Sequence, residues 1–166
     1  MAKISKIKPN DIANGQGINV SVWFQGCPHH CKGCFNPETW DFNRGEEFTE
    51  VHINEIFKHI DKDGIKRNLS ILGGEALCEQ NVIGVIDLCK KFKEKYPDKK
   101  ILIWTGYTYE DLNKDQRSVL PYIDILVDGK FEINKKDISL KMRGSSNQRI
   151  IDVKESLKQN KIIKIK

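Results

Sequence analysis

Short apolar runs rich in β-branched residues alternate along this chain with stretches whose apolar residues recur at helical spacing. Each apolar run ends in a glycine-containing turn. Ile18 to Gln25 stops at Gly26, Leu69 to Leu72 at Gly73-Gly74, Lys100 to Trp104 beside Gly106, and Ile123 to Val127 at Asp128-Gly129. These read as strands. Between them, Ile53, Ile56, Phe57 and Ile60 form one helical stripe, and Val82, Val85, Ile86, Cys89 and Phe92 form another, with Pro97 just beyond its end. Thr108 with Asp111 three residues on resembles a helix N-cap and predicts a helix through about Arg117. A last short strand is expected from Arg149 to Val153. Strands spaced by helices imply βαβ units and a mostly parallel sheet, in which ligands gather at the carboxyl ends of the strands. Every notable loop here follows a strand, so the loops are expected to meet at one site.

Composition fits a single domain of 166 residues, 39% hydrophobic and 31% charged, with no internal repeat or linker. No apolar run approaches the roughly 20 residues that span a bilayer, and the start has no apolar signal-peptide core, so a cytoplasmic protein is expected. The net charge of +5 is mostly lysine excess, as at Lys90, Lys91, Lys93 and Lys95 and in the tail KQNKIIKIK. Lysine runs of this kind read as solvated surface. No aromatic residues alternate with arginines as a single-strand-binding groove requires, so neither nucleic acid nor membrane is an expected partner.

Three of the five cysteines, Cys27, Cys31 and Cys34, fall within eight residues directly after the first strand. An odd total with this clustering does not make a disulfide framework. Three thiolates at C-x3-C-x2-C spacing fit one face of a cubane iron–sulfur cluster, and with no comparable fourth cysteine one iron is left open. Structural zinc is the competing reading, with His29 or His30 as a fourth ligand, although both lie crowded within the x3 stretch. Otherwise both histidines read as surface-loop residues. Cys89 lies on a helical apolar stripe and reads as core; Cys78 carries no assignment.

With the cysteine loop and Gly73-Gly74-Glu75 both placed, the chain resembles the radical S-adenosylmethionine (SAM) superfamily. Within it, the chain is most similar to the activases that serve the anaerobic ribonucleoside-triphosphate reductase. The resembling stretches are DIANGQG, GCPHHCKGCFNPETW, LGGE, WTGYTYEDL, LVDGKF and RGSSNQR, in order from about Asp11 to Asp152. Two positions depart from the superfamily pattern: Gly33 replaces the common aromatic before the third cysteine, and Ala76 replaces a proline after Glu75.

The resemblance implies an α/β fold, an incomplete (open) parallel βα barrel of about four to six strands. It implies a single radical SAM domain over residues 1–166, with 153–166 an unassigned basic tail. It implies one [4Fe-4S] cluster held by Cys27, Cys31 and Cys34, with SAM bound at the open iron and cleaved reductively to place a glycyl radical on the large subunit of the reductase. An electron donor such as a flavodoxin is implied as a second partner. Around SAM it implies Gly73 and Gly74 at a close backbone approach, Glu75 or a nearby carbonyl accepting from the amino group, and contacts from Thr105 and Asp128. Gly33 and Phe35 would pack on the adenine, with core packing the alternative for Phe35. Arg143, Ser145, Asn147 and Gln148 would bind SAM or the reductase, or form a structural loop.

Overall fold

The computed structural model describes all 166 residues. Seven strands form one sheet: β1 (Lys3–Asp11), β2 (Asn19–Phe24), β3 (Glu46–Glu47), β4 (Asn68–Gly73), β5 (Ile101–Trp104), β6 (Ile125–Asp128) and β7 (Arg149–Asp152). Their spatial order is β3-β1-β2-β4-β5-β6-β7. The central four, β2, β4, β5 and β6, run parallel, whereas β1, β3 and β7 pair antiparallel at the flanks. The two ends of the sheet do not meet, so it remains open.

Side-chain alternation divides the sheet into two unlike faces. Val20, Val22, Phe24, Leu69, Ile71, Ile101 and Ile103 point into the main core. There they meet helix α1 (Glu50–Asp61) through Ile53, Ile56 and Ile60, and helix α2 (Val82–Lys95) through Val85, Leu88 and Phe92. Burial of each such aliphatic side chain stabilises by roughly 2 kcal/mol. Cys89 is fully buried in this core, as its stripe position required. The alternate residues, among them Leu102, Ile125 and Val127, form a small second cluster on the other face, packed by Trp104, Met142, Ile150 and Ile165. Loops and the chain end, not helices, cover that face.

Three segments differ from the expectation. β1 was not legible because Pro9 interrupts it and its register with β2 shifts twice, which breaks the period-2 pattern. The helix expected over 108–117 divides into a 3-10 turn at Tyr109–Asp111 and a short helix α3 (Lys114–Arg117). Asn113 is extended and opens a new capping box with Gln116, while the Thr108 hydroxyl bonds Asp111 at 2.7 Å. The tail also gains structure. Residues Val153–Gln159 form helix α4, and the last residues run antiparallel to β7, with Ile165 N–H donating to Ile150 O at 2.8 Å.

Several of the lysines in the basic run are paired. Lys91 meets Glu50 and Asp87, and Lys93 meets Asp124 at 2.8 Å. Asp124 fastens three elements, α2, α4 and β5, because its carboxylate also accepts from Lys154 on α4 at 3.0 Å and from the Ile101 N–H at 2.8 Å. Burial alone would raise this carboxyl, yet the donors outweigh it and hold it below its ordinary value. Its stabilisation is therefore full above the unfolded carboxylate range and fades as pH falls through the lower folded value. Asp124→Ala is expected to cost about 1–3 kcal/mol at neutral pH, less in acid, as read by urea unfolding at pH 7 and pH 3.

Candidate metal and cofactor site

The loop after β2 begins with a sharp reversal at Gly26 (φ +101), where a Cβ would strike the Phe42 ring at 2.4 Å. Gly26 N–H then bonds Thr39 O at 2.7 Å and Cys27 N–H bonds Trp40 O at 3.1 Å, so the segment folds back on itself. A second turn closes between Cys31 and Cys34, with Cys34 N–H on Cys31 O at 3.0 Å and Gly33 at φ +77. Gly33 is thus required by its left-handed backbone, and a Cβ there would also meet Ile133 at 2.7 Å.

All three thiols line one cavity of about 530 Å³ on the helix-free face of the sheet. Gly73, Gly74, Thr105, Gly106 and Gly129 share its wall, so loops after β4, β5 and β6 do converge on the cysteines. Cys27 is buried, while Cys31 and Cys34 are half-buried. Burial pushes the Cys27 thiol up to about 11, although the backbone N–H groups of His29 and His30 pull it down. Cys31 is also raised, chiefly by burial. Loading a metal centre here must therefore release protons, since thiolates are the ligands. In the metal-free protein at pH 8, alkylation at Cys27 is expected to be slow and to accelerate towards pH 11. Fully buried Cys89, raised further still by burial, should stay unmodified until the chain unfolds; mass spectrometry of timed alkylation reads both.

The site residues divide by what their polar atoms already hold. Glu75 is 1% exposed and lies behind the cavity wall. Its Oε1 accepts from Leu77 N–H (3.0 Å) and the Thr105 hydroxyl (2.8 Å). Its Oε2 accepts from Gly106 N–H (2.7 Å) and His29 Nε2 (2.8 Å). The carboxylate is thus taken up by four protein donors and has none left for a ligand amino group. Thr105 is on the wall, but its hydroxyl is bound to Glu75 and accepts from Tyr107 N–H at 3.2 Å. Asp128 turns away from this cavity. It receives Arg149 at 3.0 and 2.5 Å and Tyr109 N–H at 2.8 Å, and Arg149 in turn forks onto Glu110.

Gly73 and Gly74 lie on the wall, and each is also required to be glycine by its neighbours in the protein. A Cβ on Gly73 (φ +142) would lie 2.3 Å from Phe24 O, and one on Gly74 would lie 2.5 Å from Gly26 O. Both point into the chain that carries the cysteines, not into the cavity. The turn docks there through Gly74 N–H on Phe24 O and Glu75 N–H on Gly26 O. Phe35 is 59% exposed, which removes the core reading, and it faces Phe131 with ring centres 5.1 Å apart. In the RGSSNQR loop, Gln148 Oε1 accepts from Gly144 and Ser145 N–H, Gln148 Nε2 donates to Gly129 O, and Asn147 donates to Lys130 O. Those contacts build a loop; Arg143 remains on the cavity wall.

His29 is not a surface histidine: its side chain is 8% exposed, bound to Glu75 and set edge-on to Tyr107 at 4.6 Å. His30 stacks on Trp40 at 4.5 Å, with the planes 7° apart. His29 Nε2 is taken up by Glu75 and the His30 ring lies flat on Trp40, so neither imidazole joins the thiols in a ready four-ligand zinc set. No three His, Cys, Asp or Glu side chains converge on one point as ligands of a single ion do. A cubane instead spreads its three thiolates over three irons, and the soft donor set suits it. The buried Trp40 Nε1, in the wall beside Cys27, has no hydrogen-bond partner, a donor that a sulfur-rich group in this cavity would satisfy.

Sequence reasoning also missed that all three tryptophans, Trp23, Trp40 and Trp104, line the cavity. Strand alternation placing Trp23 and Trp104 opposite the main core was the available signal. Loading a cluster here is expected to quench most of the intrinsic tryptophan emission. Unchanged emission on a loaded protein would place the cluster elsewhere.

The sequence model of the 4Fe-4S single cluster domain family matches residues 13–151, the span that holds this cavity. The class defined by fold and site is thus an α/β protein with a single-cluster 4Fe-4S domain. An activating protein of anaerobic ribonucleoside-triphosphate reductase from Haemophilus influenzae is 42% identical over 84% of this chain and 91% of its own length. Proteins of the same name from Escherichia coli K12 (42% identical over 84% of this chain and 92% of their length) and phage T4 (39%, 87% and 90%) agree. The chain belongs to the family of anaerobic ribonucleoside-triphosphate reductase-activating proteins.

Proposed function

We propose that this chain is a radical SAM activase that installs the glycyl radical on the large subunit of the anaerobic ribonucleoside-triphosphate reductase. Its open sheet is read as an incomplete βα barrel whose cavity holds one [4Fe-4S] cluster and SAM. Cys27, Cys31 and Cys34 would hold the cluster, and the unclaimed fourth iron position would take SAM. When bound, cluster and SAM together supply the one-electron chemistry that removes a hydrogen atom from the reductase's glycine, with the electron from a donor such as a flavodoxin.

The observation that carries this reading is the convergence of three thiols with the loops after β4, β5 and β6 on one cavity. The chain's own part is to position and to enclose. Backbone at Gly73, Gly74, Gly106 and Gly129 forms part of the wall, so a cofactor of SAM's size would lie against main-chain atoms. Trp23, Trp104 and Leu72 give the cavity an apolar floor that keeps bulk water from a reactive species. Phe35 and Phe131 at the rim offer faces on which an adenine can stack. No helix covers the cavity face, so a protein substrate would approach between its loops. Reconstitution with iron and sulfide under anaerobic conditions, reduction and addition of SAM should yield 5′-deoxyadenosine and methionine. A protein that loads the cluster and never cleaves SAM would be a binding module instead.

A further inference from the structure

Glu75 is a buried acid whose one titratable side-chain partner is His29, at 2.8 Å. No lysine or arginine lies within reach of it. A carboxylate this deep is costly unless its lone pairs are filled, and here four donors fill them. The donors come from three separate loops: His29 from the cysteine loop, Leu77 from the turn after β4, and Thr105 with Gly106 from the loop after β5. His29 is the only side chain of the cysteine loop that reaches this carboxylate. It sits between Cys27 and Cys31, and the Tyr107 ring and Gly106 fix its other sides.

We propose that His29 and Glu75 form a positioning pair for the cluster: the hydrogen bond pins Cys27 and Cys31 against the loops that line the cofactor cavity. This rests on the cluster reading above and goes beyond it by assigning neither residue to SAM. The pair also ties the loop after β5, where a ligand would sit, to the cysteine loop through a single carboxyl group.

Two variants test this on the cluster-loaded full chain. His29→Leu removes the donor, whereas His29→Gln keeps an N–H at similar reach. His29→Leu should lose iron to a chelator roughly 10-fold faster than the parent, the size expected for a lost outer partner of a ligand loop, and His29→Gln should stay near the parent. Equal iron loss from the Leu and Gln variants, each loaded to the same electron paramagnetic resonance (EPR) signal, would overturn the proposal. A parent protein that takes up no cluster would defeat the functional reading itself, and that shows before any variant is made.

Discussion

Gly73→Ala and Gly74→Ala are each expected to destabilise the fold by about 3 kcal/mol or more and to lower cluster occupancy with it. At Gly73 the new methyl would lie 2.3 Å from Phe24 O and 2.6 Å from Phe24 N, with the backbone at φ +142. At Gly74 it would lie 2.5 Å from Gly26 O and 2.7 Å from Thr39 O. None of these atoms belongs to a flexible side chain. Relief would require the β4 turn to lift away from the loop that carries the cysteines, breaking Gly74 N–H on Phe24 O and Glu75 N–H on Gly26 O. Urea unfolding of the metal-free variants isolates the packing effect from any ligand. A variant as stable as the parent would return these glycines to the role of making room for cofactor. By contrast, Gly64→Ala, which meets nothing within 4 Å, should cost only its left-handed backbone strain.

Cys27→Ala, Cys31→Ala and Cys34→Ala are each expected to abolish cluster assembly and SAM cleavage, whereas Cys78→Ala and Cys89→Ala should retain both. The three loop thiols share the cavity wall; Cys78 and Cys89 do not. Cys78→Ala opens a small gap at a site that is 3% exposed, and Cys89→Ala opens one in the core, so both lose stability and not the cluster. Iron and sulfide analysis with the visible charge-transfer band separates the two groups. Retention of a full cluster in any loop variant would show that another ligand completes it.

The parallel strands were legible because each is a β-branched run cut by a glycine turn, and the two long helices because their stripes are regular. The cysteine loop was legible because its spacing is local. What stayed hidden depends on contacts between distant residues. His29 looks like any loop histidine until β4 brings Glu75, 46 positions away, within 2.8 Å. Glu75, Thr105 and Asp128 do sit at strand ends as expected, yet their polar atoms are held by protein donors that only the assembled sheet supplies. Nothing in Gly-Gly-Glu says that a Cβ at Gly73 or Gly74 would strike β2 and the cysteine loop. The tail could not be read because KIIKIK makes its single bridge only when β7 offers it an edge.

The most direct test of the account joins the chain to its proposed partner. Cluster-loaded protein, reductant, SAM and the large subunit of the anaerobic ribonucleoside-triphosphate reductase are combined without oxygen and frozen for EPR. The account predicts a glycyl-radical signal on the reductase that forms together with 5′-deoxyadenosine and is absent with Cys31→Ala. SAM cleavage with no radical on the reductase would contradict the partner, and a colourless protein that holds zinc and leaves SAM intact would contradict the cluster on which everything here depends.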